Sequence, residues 1–156
     1  MTYEEYRKAE EEGAAKLPVF FAYSKEQFRE QMEKRGLTEN DTDKIYSLGA
    51  WCYYLRSDRD VVMAYMTKES KLSYYMGEYD FAYEAFYYEM GNHEYHINYY
   101  QGDYDVCSCF GNPEWAGEEA DGPYYLKQME YGEETIRAYK DARRQFLKDA
   151  DEKGWY

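Results

Sequence analysis

The chain has 156 residues and a formal charge of −13, and 22 of its 32 aromatic side chains are tyrosine. With a mean hydropathy of −1.01 and no run of eighteen apolar residues, it offers no membrane-spanning helix. An acidic chain is also repelled by nucleic acid and anionic lipid, which argues against direct binding to either.

The length suits one domain able to bury about 70% of the surface its unfolded chain exposes. Three cysteines, Cys52, Cys107 and Cys109, make an odd number without a secretory apolar segment. They read as reduced thiols in a cytoplasm.

In chain order, Thr2 and Glu5 form a capping-box pattern that predicts a helix to about Ala15. Lys16 to Tyr23 is a short apolar, aromatic run and reads as a buried strand with Pro18 near its start. Ser24 and Gln27 repeat the capping box, and Gly36 closes a helix from about Lys25 to Arg35. Leu37 to Asp43 reads as a loop. Ile45 to Leu55 is expected to be one strand that bends, or closely approaches another backbone, at Gly49. A helix is expected to follow Ser57 and Asp58 and to run to about Tyr75.

The stretch from Leu72 to Leu126 sets the charge of the whole chain. Its 55 residues hold no Lys or Arg but eleven carboxylates and twelve tyrosines, so it carries −11 while the flanks carry −2 and 0. Within it Glu78 to Met90 reads as a helix, with Tyr79, Ala82, Tyr83, Phe86 and Met90 on a core-facing stripe about 100° wide. Asp80 and Glu84 lie on one side of that stripe and Glu78 and Glu89 on the other. Tyr87 and Tyr88 are expected at its accessible edge.

His93 to Tyr100 is expected to be a strand, with His93, Tyr95, Ile97 and Tyr99 on the packed face and Glu94, His96 and Asn98 on the other. Asp103 and Asp105, if extended, point to the same side about 6.6 Å apart. Val106 to Gly111 fits a strand or a helical turn. Asn112 to Gly122 reads as an exposed loop, and Tyr124 to Tyr131 as a strand or loop. Glu133 to Lys153 is a helix with the stripe Ile136, Tyr139, Ala142, Phe146 and Ala150, closed by Gly154. Its Arg137, Lys140, Arg143, Arg144 and Lys148 are either counter-charges for the acidic window or simply solvated. The expected fold class is α+β: a single small domain, 1–156, with a short mostly antiparallel sheet packed by about four helices.

Motifs for catalysis are missing. His93-Glu94-Tyr95-His96 is one residue short of the zincin spacing that brings two histidines to one metal. Zinc held by His93, His96, Cys107 and Cys109 is weighed and set aside, because Cys-x-Cys is atypical of structural zinc sites. No catalytic residue, metal or cofactor is assigned.

The stretches Leu17-Pro-Val-Phe-Phe-Ala-Tyr-Ser-Lys-Glu-Gln-Phe, Lys44-Ile-Tyr-Ser-Leu-Gly-Ala and Phe86-Tyr-Tyr-Glu-Met-Gly-Asn-His-Glu-Tyr resemble a family of small uncharacterised acidic proteins of phages and mobile elements of Gram-positive bacteria. The resemblance covers the first two thirds of the chain and assigns no catalytic residue. In general character the chain is similar to nucleic-acid-mimicking anti-CRISPR and anti-restriction proteins.

These features together point to a non-catalytic inhibitor in a bacterial cytoplasm. Its partner would be a basic nucleic-acid-binding protein, such as a CRISPR effector or restriction enzyme. The residues expected to meet that partner are Glu78, Asp80, Glu84, Tyr87, Tyr88, Glu89, Glu94, Asp103 and Asp105, with charge steering encounter and tyrosines anchoring the complex. The rival expectation is an immunity protein or antitoxin that neutralises a cationic toxin nuclease.

Overall fold

The computed structural model describes residues 1–155, except for the side chains of Tyr99 and Tyr100. Among the described residues, eight α-helices and a three-stranded antiparallel sheet make it an α+β protein. Its residues cluster into two compact units: Met1–Lys8 with Ser70–Tyr156, and Ala9–Glu69.

The smaller unit holds the sheet. Strands β1 (Val19–Phe21), β2 (Ile45–Gly49) and β3 (Cys52–Leu55) lie in the order β1-β3-β2. Helix α2 (Lys25–Lys34) is capped as the sequence predicts: the Ser24 hydroxyl accepts from the Gln27 amide at 3.1 Å. Gly36 takes the left-handed φ of +73° that ends the helix. Phe20, Met32 and Ile45 form the small core, joined by Phe28, Leu37, Tyr53 and Leu55.

The single strand expected from Ile45 to Leu55 is instead a hairpin. Gly49 pairs with Cys52 across a two-residue loop, and Ala50 and Trp51 both have positive φ, 48° and 59°. A two-residue hairpin matches the strand twist through such values, which Asn-Gly supplies most readily. Ala-Trp carries no such signal.

The expected single helix to Tyr75 is also divided, into α3 (Arg59–Met66) and α4 (Leu72–Tyr75). Helix α3 falls in the smaller unit and α4 in the larger.

The larger unit is helical. Helix α1 (Tyr3–Ala15) begins in it with the predicted capping box: the Glu5 amide donates to Thr2 Oγ1 at 3.1 Å, and the Thr2 amide donates to Glu5 Oε2 at 2.8 Å. Helix α5 (Tyr79–Asn92) packs in parallel on α8 (Glu133–Lys153). The pairing is recorded by Tyr79 on Asp141 and, eight residues on along both helices, Tyr87 on Asp149, with Thr135 Oγ1 on the carbonyl of Met76 just before α5.

On α8 the expected stripe is buried at Tyr139, Ala142, Phe146 and Ala150, while Ile136 is half-buried. On α5 the buried residues are Phe81, Ala82, Ala85, Phe86, Glu89 and Met90. The core-facing arc is therefore rotated from the one expected: Tyr79 and Tyr83 sit at its margin, because their phenols seek polar partners.

The expected strand from His93 to Tyr100 is a turn followed by helix α6 (Tyr99–Ser108). Here α5 ends in a Schellman motif. The Tyr95 amide donates to the Met90 carbonyl at 2.9 Å and the Glu94 amide to the Gly91 carbonyl at 3.3 Å, with Glu94 at φ +51° in the place glycine usually takes. The turn drives Tyr95 into the core at 0% exposure and leaves Ile97 67% exposed, so the two do not share a packed face. Tyr99's expected place on that face lies outside the described side chains.

Residues expected as a strand or loop from Tyr124 form helix α7 (Gly122–Gln128), capped by the Asp121 carboxylate on the Tyr124 amide at 2.9 Å. Its end is a second Schellman turn with Glu130 at φ +66°.

Candidate functional site

Helix α5 carries the two places where chemistry gathers. The first is an aromatic cleft of about 710 Å³ in the larger unit, bordered by Tyr3, Tyr83, Tyr87, Tyr88, Phe146 and Trp155, with Arg7, Glu84 and His96 also at its surface. Helical spacing brings Glu84, Tyr87, Tyr88 and Gly91 to one side of α5, and Asp80 lies one turn before Glu84 on that side. Three of the nine expected partner residues thus meet at the cleft.

The nine do not all remain surface groups. Glu84 caps α1, its carboxylate accepting from the backbone amides of Tyr3 and Glu4, each at 3.2 Å. A carboxylate is favoured there by the unsatisfied amides and the positive helix end. Tyr87 is half-buried, edge-on to Phe146, and its hydroxyl donates to Asp149 at 2.6 Å. Of the two tyrosines expected as anchors, Tyr88 is the exposed one, at 39%. The guanidinium of Arg7 lies 3.5 Å from its ring centroid, and Arg7 Nε is buried without a hydrogen-bond partner.

Glu89 and Asp103 correct the sequence expectation most directly. Glu89, 7% exposed, accepts the Tyr3 hydroxyl at 2.7 Å. Asp103, 8% exposed, accepts from the hydroxyls of Tyr95 and Tyr139 on a helix where an extended, exposed pair with Asp105 was expected. Burial raises the Asp103 carboxyl, and the two phenols and Arg143 oppose that shift. Tyr3, Tyr95 and Tyr139 are all held protonated well above the ordinary phenol range, mainly by burial. Glu78, Asp80 and Glu94 stay exposed, and Asp105 is half-buried and accepts from Gln101 at 3.0 Å.

The ion pairs of the basic side chains of α8 run along that helix itself. Arg137 pairs with Glu134, Arg144 with Asp141 and Lys148 with Glu152, all on the same helix. Arg143 and Arg137 also touch the window: Arg143 Nε donates to the Tyr95 hydroxyl at 2.7 Å, beside Asp103, and the Arg137 guanidinium lies 3.9 Å from the Tyr79 ring centroid.

The second place is a cluster of Glu89, His93 and Cys109. Glu89 and His93 lie one turn apart at the end of α5, and Cys109 follows α6. Sγ of Cys109 lies 3.3 Å from His93 Nε2 and 3.5 Å from Glu89 Oε2, and Glu89 Oε2 lies 3.5 Å from that same Nε2.

Thiol and carboxylate therefore meet one ring nitrogen. A nucleophilic triad needs the carboxylate on the opposite nitrogen, where it orients the base. Burial and Glu89 also push the Cys109 thiol up to about 12, away from a reactive thiolate.

The other two residues of the zinc set weighed from sequence go elsewhere. His96 Nε2 lies 3.0 Å from the Trp155 carbonyl oxygen, and the Cys107 thiol faces the Gly122 carbonyl at 3.7 Å.

In the smaller unit, Phe21, Tyr23 and Trp51 form an exposed aromatic cluster, with Tyr23 stacked on Phe21 and tilted against Trp51. Sequence reasoning passed over it because it depends on the hairpin that turns Trp51 outward. The aromatic run around Phe21 was its visible part.

Fold and sites together define an α+β protein with an acidic helical unit, a tyrosine-walled cleft and one mixed carboxylate–imidazole–thiol cluster. A model of a family of unknown function, DUF7659, matches residues 2–107, and the chain belongs to that family. Nothing among curated proteins or solved structures matches the chain.

Proposed function

We propose that this protein is a non-catalytic binding inhibitor. It presents the acidic, tyrosine-rich side of α5 to the basic groove of a nucleic-acid-binding protein in a bacterial cytoplasm, with a CRISPR effector or restriction enzyme as the partner class. The observation that carries the reading is the Tyr88 ring, exposed at the cleft beside Glu84 and already stacked by the Arg7 guanidinium. A tyrosine face next to a carboxylate holds an arginine by cation–π attraction and charge together. A partner arginine would displace Arg7 from the ring and bind in its place.

The charge supports this. The larger unit holds twenty carboxylates against ten Lys and Arg, a balance that draws a cationic surface in and raises the association rate. The resemblance to small acidic phage and mobile-element proteins points the same way. With Glu89 and Asp103 internal, the steering set narrows to Glu78, Asp80, Glu94 and Asp105, with Glu84 at the cleft.

The test is capture of a partner from host lysate, followed by association and dissociation rates across a salt series. The Glu78→Gln/Asp80→Asn/Glu94→Gln/Asp105→Asn variant should associate more slowly and with a flatter salt dependence. Tyr88→Ala should dissociate faster, by about 1–3 kcal/mol in affinity. Rates in the four-amide variant equal to those of the unaltered chain overturn the reading. A captured toxin nuclease would replace the proposed partner with the immunity-protein alternative.

A further inference from the structure

The geometry points to a binding site for a zinc-class divalent cation formed by Glu89 Oε2, His93 Nε2 and Cys109 Sγ, with the fourth position open to water. Zinc bonds of about 2.3 Å to sulfur and about 2.0–2.2 Å to nitrogen or oxygen, at tetrahedral angles, set donor atoms roughly 3.3–3.7 Å apart. The three separations here are 3.3, 3.5 and 3.5 Å. These donors already stand close to three corners of such a tetrahedron.

Hydrogen bonding cannot use all the contacts of this cluster at once. A thiol has one proton to give, yet Sγ of Cys109 lies within reach of Glu89 Oε2, His93 Nε2 and the Asp105 carbonyl oxygen at 3.5, 3.3 and 3.4 Å. A cation would satisfy all three side-chain donors at once.

The surroundings resemble those of a held ligand set. Glu89 is fixed from behind by the Tyr3 hydroxyl on Oε1, and Asn92 Nδ2 donates to Oε2 at 3.2 Å. Such outer contacts orient coordinating carboxylates. The His93 side chain is 33% exposed, which leaves an entry path and room for the fourth ligand. Thiolate, imidazole and carboxylate together favour zinc over magnesium or calcium, which take oxygen donors. The site is distinct from the zinc set weighed in the sequence: it keeps His93 and Cys109 and replaces His96 and Cys107 with Glu89.

The full chain, reduced and stripped of metal with a chelator, is titrated with Co(II) and then Zn(II). One equivalent of Co(II) should give thiolate-to-cobalt charge-transfer absorption that Zn(II) abolishes by displacement, and Zn(II) should raise the melting temperature. Cys109→Ser should remove the band. His93→Ala, at a half-exposed position, should weaken zinc binding at least tenfold. Cys52→Ser and His96→Ala should leave both signals intact. Absence of the band at one equivalent overturns the site, as does a band that survives Cys109→Ser. If Cys109→Ser misfolds by circular dichroism, the His93→Ala titration decides: unchanged zinc affinity there rejects the site.

Discussion

Tyr87 on α5 donates its hydroxyl to Asp149 on α8 at 2.6 Å, and eight residues earlier on each helix Tyr79 makes the same bond to Asp141 at 2.7 Å. Two parallel helices are thus joined along one margin by phenol–carboxylate pairs, in a unit where carboxylates outnumber basic residues. Tyrosine supplies the protons that lysine and arginine would supply elsewhere.

The Tyr87–Asp149 pair predicts stability changes at both ends of the pH range. Tyr87's hydrogen bond lowers the Asp149 carboxyl, so its contribution is present above the ordinary carboxylate range and lost as pH falls through the lowered value. Burial, and then the bond to Asp149, raise Tyr87 from 10.0 to about 12, so stability falls as pH rises through that interval. Urea midpoints against pH should show a plateau between these limits. Tyr87→Phe should lower the plateau and reduce both slopes; slopes identical to the unaltered chain would show the pair contributes nothing.

Asp103 should be required inside the fold. Asp103→Ala leaves the phenols of Tyr95 and Tyr139 without their acceptor and should cost about 3 kcal/mol. Asp103→Asn keeps an accepting oxygen and should cost clearly less. Burial raises the Asp103 carboxyl, so its share of stability is fully present below the unfolded value and lost as pH rises through the raised one. The difference between Asp103→Asn and the unaltered chain should therefore vary with pH in that acidic window. Equal denaturation midpoints for Ala and Asn would refute this role.

Gly122 should tolerate no side chain. A Cβ there would fall within the Tyr139 ring, which is itself buried and bonded to Asp103. Gly122→Ala should cost about 3 kcal/mol, because the added methyl overlaps the buried Tyr139 ring and pushes it off its bond to Asp103. Gly132, the N-cap of α8 with nothing within 4 Å of an added Cβ, is the control, and its serine variant, with a side chain suited to a cap, should stay within about 0.5 kcal/mol. A thermal melt of both variants checks the contrast.

The β2–β3 hairpin should accept its usual loop residues gladly. Ala50 and Trp51 hold positive φ at a cost that Asn and Gly escape. Ala50→Asn with Trp51→Gly should raise stability by about 1 kcal/mol, measured by denaturant unfolding. A loss would mean that Trp51's ring contact with Tyr23 outweighs the backbone strain.

What the sequence determined by itself is local. Capping boxes at Thr2 and Ser24, the stop at Gly36 and the stripe of α8 are written within one or two turns of chain, where side chain and backbone meet without help from elsewhere. The acidic window and the membership of α5 in it are likewise plain from residue order alone. Tertiary structure decided which carboxylates stay outside. Glu89 is internal because Tyr3, 86 residues away, supplies its proton, and Asp103 because Tyr139, 36 residues away, does the same. It also decided the turn after α5, where Glu94 takes glycine's conformation because Tyr95 gains a buried place in the core. The Glu89–His93–Cys109 cluster belongs to this second class, since a helix end and a cap sixteen residues on converge only when α5 and α6 pack. Burial is set by partners distant in sequence, and no local pattern of charge or periodicity records them.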